Sequence, residues 1–222
     1  GRVLATALEK FPGLRLAAIS GGQFDNVICS RCDAVVALPT GSGAAFTAFI
    51  REFDAALKNE YAVTDPGVTL TCAAAEAAKA VPAERTATLV QALAAMPQGV
   101  EAMDTDFPGL VQTSLNMGVV KLNGDGLHIT FSIRSSIASR KLMLAQRVRA
   151  VAALAGGTVA ERGVYPGWQY KRESKFRDTL LAAYKDLTGK DGVVEATHGG
   201  LECGLLMEKI PGLDAVSMGP EL

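Results

Sequence analysis

Between residues 44 and 61 the apolar positions Phe46, Phe49, Ile50, Phe53, Leu57 and Tyr61 recur at steps of three and four. That spacing gathers them on one face of a helix. Ser42, in the turn Thr40–Gly43, is placed to cap it. A second helix is expected over Ala83–Met96. Pro82 opens it at a position proline tolerates, and Pro97-Gln98-Gly99 ends it. A third covers residues 139–155 and stops at Gly156-Gly157. Further helices are expected at Ser174–Leu187 and Leu205–Glu208.

Period-two patterns and short apolar runs mark the strands. Residues 14–22 read as a strand entering a turn, and Ala34–Leu38 as a second strand closed by Pro39. Val68–Ala74 alternates Thr69 and Thr71 with apolar neighbours and is expected to be a third. Thr113–Leu122 and Leu127–Arg134 flank Asn123-Gly124-Asp125-Gly126, a strong hairpin turn. Short strands are also expected at Thr158–Val164, 193–196 and 215–218, and a loop at 101–112. The pattern up to about residue 160 is α+β with a mostly antiparallel sheet and ferredoxin-like elements. Beyond it, strand and helix alternate in the α/β manner. A domain boundary therefore falls near residue 160, between a 1–160 unit and a 161–222 unit.

Composition narrows the function classes. The 222 residues are 49% hydrophobic and 20% charged with a net charge of −1, the make-up of a globular protein. A near-zero charge gives no electrostatic case for nucleic acid. No apolar run approaches the roughly 18 residues a membrane helix needs. Residues 1–20 lack the layout of a signal peptide, so the cytoplasm is the default location. Cys29, Cys32, Cys72 and Cys203 are spread widely, and the C-x-x-C pair at 29–32 has no second ligand pair for zinc, so free thiols are expected.

Chemistry concentrates in a few places. Thr197–Gly204 holds His198, one of two histidines, between an apolar run and a helix-like run. Such a glycine turn presents backbone N–H groups to a ligand. Glu202 falls in the first helical turn, where a carboxylate suits the macrodipole without any further role. Arg134 ends a strand, where it can clamp a carboxylate or make an ordinary surface ion pair. His128 lies on a polar strand face and reads as an exposed or satisfied histidine. Gly21-Gly22 with Asp25 and Asn26 is common loop chemistry as well as a candidate ligand turn. No H-E-x-x-H, G-x-S-x-G, Walker or Rossmann motif occurs.

Taken in order, Gly21-Gly22 with Asn26-Val27-Ile28, Ser114–Val120, Ile133-Arg134-Ser135-Ser136, Tyr165-Pro166-Gly167-Trp168, His198–Gly204 and Val216–Pro220 resemble the Xaa-His dipeptidases. These are aminoacyl-histidine dipeptidases, carnosinase-type di-zinc enzymes of the aminoacylase/carboxypeptidase clan. The order and spacing agree over nearly the whole chain. Cys29 departs from the family, which usually has proline there.

The resemblance implies a lid that dimerises, residues 1–160, followed by part of an α/β catalytic domain, residues 161–222. It places substrate contacts on Asn26, Arg134 (the carboxylate arginine) and Gly200 (a backbone contact), with His198 and Glu202 in the same loop. It also implies two zinc ions in the full-length parent, with ligands and the general-base glutamate outside this chain, and none bound by these residues. The chain then looks cut at Gly219-Pro220-Glu221-Leu222. The expected partners are a dipeptide substrate and a second copy joined through the lid, by an edge strand or a helix of residues 1–160; the helix 139–155 is one candidate surface, with simple packing on the lid sheet the favoured alternative for its apolar face. The alternative is a non-enzymatic dimerisation or binding module that keeps the lid fold. A related aminoacylase or tripeptidase is disfavoured by the Gly-Leu-Glu-Cys-Gly loop.

Overall fold

The computed structural model describes residues 1–76, 79–123, 126–198 and 200–219. In chain order its elements are α1 (Arg2–Lys10), β1 (Arg15–Gly21), β2 (Cys32–Ala37), α2 (Gly43–Glu60), α3 (Ala83–Ala95) and β3 (Gly99–Met103). There follow β4 (Val111–Asn123), β5 (Gly126–Ser135), α4 (Ala138–Leu154), α5 (Lys175–Thr188) and α6 (Glu202–Lys209). They divide into two compact units. The first holds Gly1–Met96, Met117–Thr130 and Leu154–Gly156; the second holds Pro97–Asn116, Phe131–Ala153 and Gly157–Leu222.

In the first unit β1 pairs antiparallel with β2, from Arg15↔Ala37 to Gly21↔Cys32, and with β4 at Ser20↔Lys121 and Gly21↔Val120. A register shift between Leu16 and Ala18 resets the strand's alternation. Leu16 and Ile19, three residues apart, consequently both reach the interior. There they join Leu93 of α3 and Val120 of β4, with Met117, Leu127 and Ile129 against them. A second cluster is built by the α2 stripe. Phe49 and Ile50 bury beside Ala7 and Leu14, and Phe11, Phe46, Phe49 and Phe53 meet with ring centroids 5.3–6.0 Å apart. Offset and edge-on aromatic contacts of this kind add to simple burial.

In the second unit β3 runs antiparallel to β4, from Gly99↔Leu115 to Met103↔Val111. β4 also pairs with β5. α4 buries Leu144 and Val148. The Ser174 hydroxyl caps α5 by accepting from the Arg177 N–H at 3.1 Å, and Gly189 ends the helix in the left-handed region.

Several expected elements differ. α1 was not foreseen, and β3 replaces part of an expected loop. Ser42 sits at the start of α2 with helical backbone angles, so its side chain makes no cap bond. Val68–Ala74 forms no strand, because its amides go elsewhere: Leu70 donates to the Asp54 carboxylate at 2.7 Å. Thr158–Val164, 193–196 and 215–218 are also without a strand ladder among the described residues. Within the expected hairpin turn, Gly124 and Asp125 lie outside the described residues, as do Gly199 of the glycine turn and Pro220–Leu222.

Thr86 of α3 joins helix to sheet. It is fully buried. Its hydroxyl accepts from the Leu16 amide at 3.0 Å and donates to the Val81 carbonyl at 3.3 Å. Replacing Thr86 with valine keeps the shape but strands that buried amide. Thr86→Val is expected to cost about 1–3 kcal/mol, read as a lower urea midpoint with an unchanged slope. An unchanged midpoint would refute this role.

Candidate ligand-binding site

In the second unit the end of β5 is held by a small hydroxyl network. Ser135 has one hydroxyl proton, which goes to the Ile137 carbonyl at 3.0 Å. Thr113 of β4 is therefore the donor in the 2.8 Å Thr113–Ser135 bond. The Ile137 amide donates back to Ser135, and the Ser136 amide reaches Gln112. These bonds turn the chain from β5 into α4 and hold Arg134, which is exposed. No carboxylate pairs with Arg134 among the described residues.

The segment Tyr165–Trp168 lies against this corner. A methyl group on Gly167 would sit 2.5 Å from the Ser136 carbonyl oxygen and 2.9 Å from that of Ser135. Only glycine permits so close a backbone approach. The Tyr165 carbonyl accepts from the ammonium of Lys141 on α4, whose pKa burial lowers. The glycine turn lies on this platform in its own right. A side chain on Gly200 would meet the Tyr165 ring at 2.3 Å, and one on Gly204 would touch the Gly167 carbonyl and Trp168 at 3.4 Å.

His198 fastens the other end of the turn. Its Nε2 lies 2.8 Å from the Ser114 Oγ on β4. Its Nδ1 is buried, and no described atom completes a hydrogen bond to it. Burial lowers the ring's pKa, the Arg134 charge lowers it further, and the Val111 backbone pulls weakly the other way. The ring is therefore neutral at pH 7. Glu202 is the exposed first residue of α6, and Gly200 is exposed beside it.

Arg134, His198, Gly200 and Glu202 thus all belong to the second unit, and Asn26 belongs to the first. Asn26 is exposed in a turn between β1 and β2. That turn is pressed onto β4. Gly22 has φ +73, and a methyl there would sit 1.7 Å from the Gly118 carbonyl oxygen; one on Gly118 would sit 2.4 Å from that of Phe24. Phe24, Val27 and Ile28 stand exposed around Asn26. At the departure from the family pattern, the Cys29 thiol donates to the Arg31 carbonyl. All four cysteines are free thiols. Ser114 and Tyr165 belonged to recognised motifs, but nothing in the sequence marked them as the groups that seat His198 and Gly200. Among the described residues no three His, Cys, Asp or Glu side chains come together to hold a metal ion, and no helix is long and apolar enough to cross a membrane.

Residues 4–65 match the family model of the peptidase dimerisation domain. Over its full length the chain is 32% identical to the cytosol non-specific dipeptidase of Escherichia coli (strain K12), covering 46% of that protein. It superimposes on the crystal structure of the aminoacylhistidine dipeptidase from Vibrio alginolyticus with a TM-score of 0.90 at 30% identity. The match covers 99% of this chain and 45% of that one. The resemblance to Xaa-His dipeptidases seen in the motifs therefore holds. The mostly antiparallel sheet with its helices is the fold of a peptidase dimerisation region. The chain spans a little under half the length of the relatives it matches.

The depressed histidine pKa has a definite sign in stability. Below the ordinary value of 6.5, the unfolded chain takes up a proton that the native ring resists. The stability contribution is present above that pH and is lost as pH falls toward the native value. Between about pH 7.5 and about pH 5.5 the urea midpoint should fall more for the wild type than for His198→Gln. Equal slopes would show that the ring titrates normally.

Proposed function

We propose that this chain is the lid and part of the catalytic region of a dipeptidase that acts on Xaa-His-type dipeptides. Residues 1–160 serve as the lid and dimerisation domain, and residues 161–222 as part of the α/β catalytic domain. The observation that carries this reading is an exposed Arg134, with no carboxylate partner among the described residues, on the side of the sheet where Ser114 holds a neutral His198 beside a glycine turn. Arg134 takes the substrate's terminal carboxylate, for which its planar fork is suited. Gly200 offers backbone to the substrate, with His198, Glu202 and Asn26 as further contacts. In this reading the chain positions the substrate rather than performing the chemistry.

The family resemblance implies two zinc ions in the full-length enzyme, which when bound supply an activated water. The residues described here do not fit such a centre, because no ligand cluster forms among them. No step is therefore assigned to a metal on this chain. The protein works as a cytoplasmic homodimer joined through the lid, with neither nucleic acid nor membrane as partner. The match of residues 4–65 to a peptidase dimerisation domain supports the dimer.

The test is a dipeptide assay on the full-length protein that contains this chain. Metal-dependent hydrolysis of Xaa-His dipeptides, lost on chelation, is expected. Arg134→Met should raise KM at least about tenfold, corresponding to about 1.4 kcal/mol of lost carboxylate binding. A dimer that hydrolyses no dipeptide in any metal would instead make this a non-enzymatic dimerisation module.

A further inference from the structure

Consecutive strand residues point to opposite faces. On β4, Thr113 is fully buried and bonded to Ser135, whereas Ser114, on the opposite face, meets His198. On β5 the same alternation sets Ser135 toward Thr113 and Arg134 away from it. Arg134 therefore lies on the same face of the sheet as Ser114, the residue that meets His198. Two adjacent β4 residues thus hold the two halves of the candidate site: Thr113 fixes the strand end that carries Arg134, and Ser114 fixes the loop that carries His198.

We propose that Ser114 is a positioning residue. Its hydroxyl fastens His198, and with it the glycine turn, onto the strand face that carries Arg134, so that both are presented to the carboxylate end of one dipeptide. The proposal rests on the dipeptidase reading above. Ser114 is well suited to the task because its backbone is fixed in the ladder opposite Val100. The Ser114 Oγ and the His198 Nε2 lie 2.8 Å apart, and the ring's tautomer decides which of them donates. Among the described residues, Ser114 meets the turn through His198, the Tyr165 ring lies against Gly200, and the Gly167 backbone lies against Gly204. The Ser114 tie links the turn directly to β4, the strand that pairs with the one carrying Arg134.

A hydrogen bond between neutral groups contributes modestly to free energy, so its loss should be seen in binding rather than as collapse of activity. In the full-length protein, Ser114→Ala should raise KM for a dipeptide about three- to tenfold and change kcat less than about twofold. Ser114→Thr, which keeps the hydroxyl, should restore most of the loss. Ser114→Cys keeps the volume with only a weak donor and should behave like alanine, so it replaces Ser114→Ala if that variant does not fold. The double variant Ser114→Ala/His198→Ala should be no worse than His198→Ala alone, since both remove the same link.

An unchanged KM in Ser114→Ala, or penalties that multiply in the double variant, would overturn the proposal. The same four proteins, unfolded in urea, give the Ser114–His198 coupling without any assay of activity. Coupling in urea with no dipeptide hydrolysis by the wild type would sink the dipeptidase reading, and the positioning role with it, while leaving the link itself. Hydrolysis by the wild type without coupling would sink the link alone.

Discussion

In the second unit, backbone rests on backbone through glycine, and the placement of the candidate ligand groups there depends on it. Gly167 lies where any side chain would run into the carbonyls of Ser135 and Ser136, the two residues after Arg134. Gly200 and Gly204 then lie on the segment that Gly167 seats. Overpacking a close contact of this sort costs about 1–3 kcal/mol, and a rigid backbone on the far side leaves little room to relax. A specific motif such as Tyr-Pro-Gly-Trp is thus explained by shape. Gly167 lets the chain lie close against the β5 corner, and Tyr165 supplies the ring against which Gly200 lies. The first unit uses the same device, with Gly22 and Gly118 holding the Asn26 turn on β4.

Electrostatics adds specificity to that frame and little stability. The ion pairs are solvent-exposed contacts such as Arg2–Glu60, Arg31–Asp33 and Lys185–Asp191, and pairs of that kind contribute little. More consequential is the difference between two neighbours. His198 is neutral because burial and the Arg134 charge disfavour its own, and Arg134 has no acidic partner among the described residues. Such an arginine suits the substrate carboxylate proposed for it. Asp214 works differently. Its carboxyl is held below the ordinary range chiefly by the Ser174 hydroxyl, and it ties the start of α5 to the segment leading to 215–218.

How much of this could be read from residues alone follows from how local each signal is. The α2 stripe, the Ser174 cap and the long β4 and β5 runs carry their periodicity within themselves. α1 is only 9 residues long, so the spacing of Val3, Ala7 and Phe11 that seats it carries little periodic signal of its own. β3 is a short Gly-Val-Glu-Ala-Met run whose identity depends on the edge that β4 offers it. Val68–Ala74 alternates like a strand, yet an Asp54 side chain took the amide a neighbouring strand would have used. The apolar runs at 193–196 and 215–218 find no ladder among the described residues. The candidate site divides the same way. Its motifs were visible as short strings, whereas the bond between Ser114 and His198 joins residues 84 positions apart.

The central claim is that Arg134, held beside His198 and the glycine turn, receives the carboxylate of a dipeptide. Comparing the binding of one dipeptide with its C-terminal amide by the full-length protein tests this most directly. The account predicts that the free acid binds at least about tenfold more tightly, the scale of a charge-assisted arginine contact. It also predicts that Arg134→Met abolishes the difference. Equal binding of acid and amide by the wild type would contradict it.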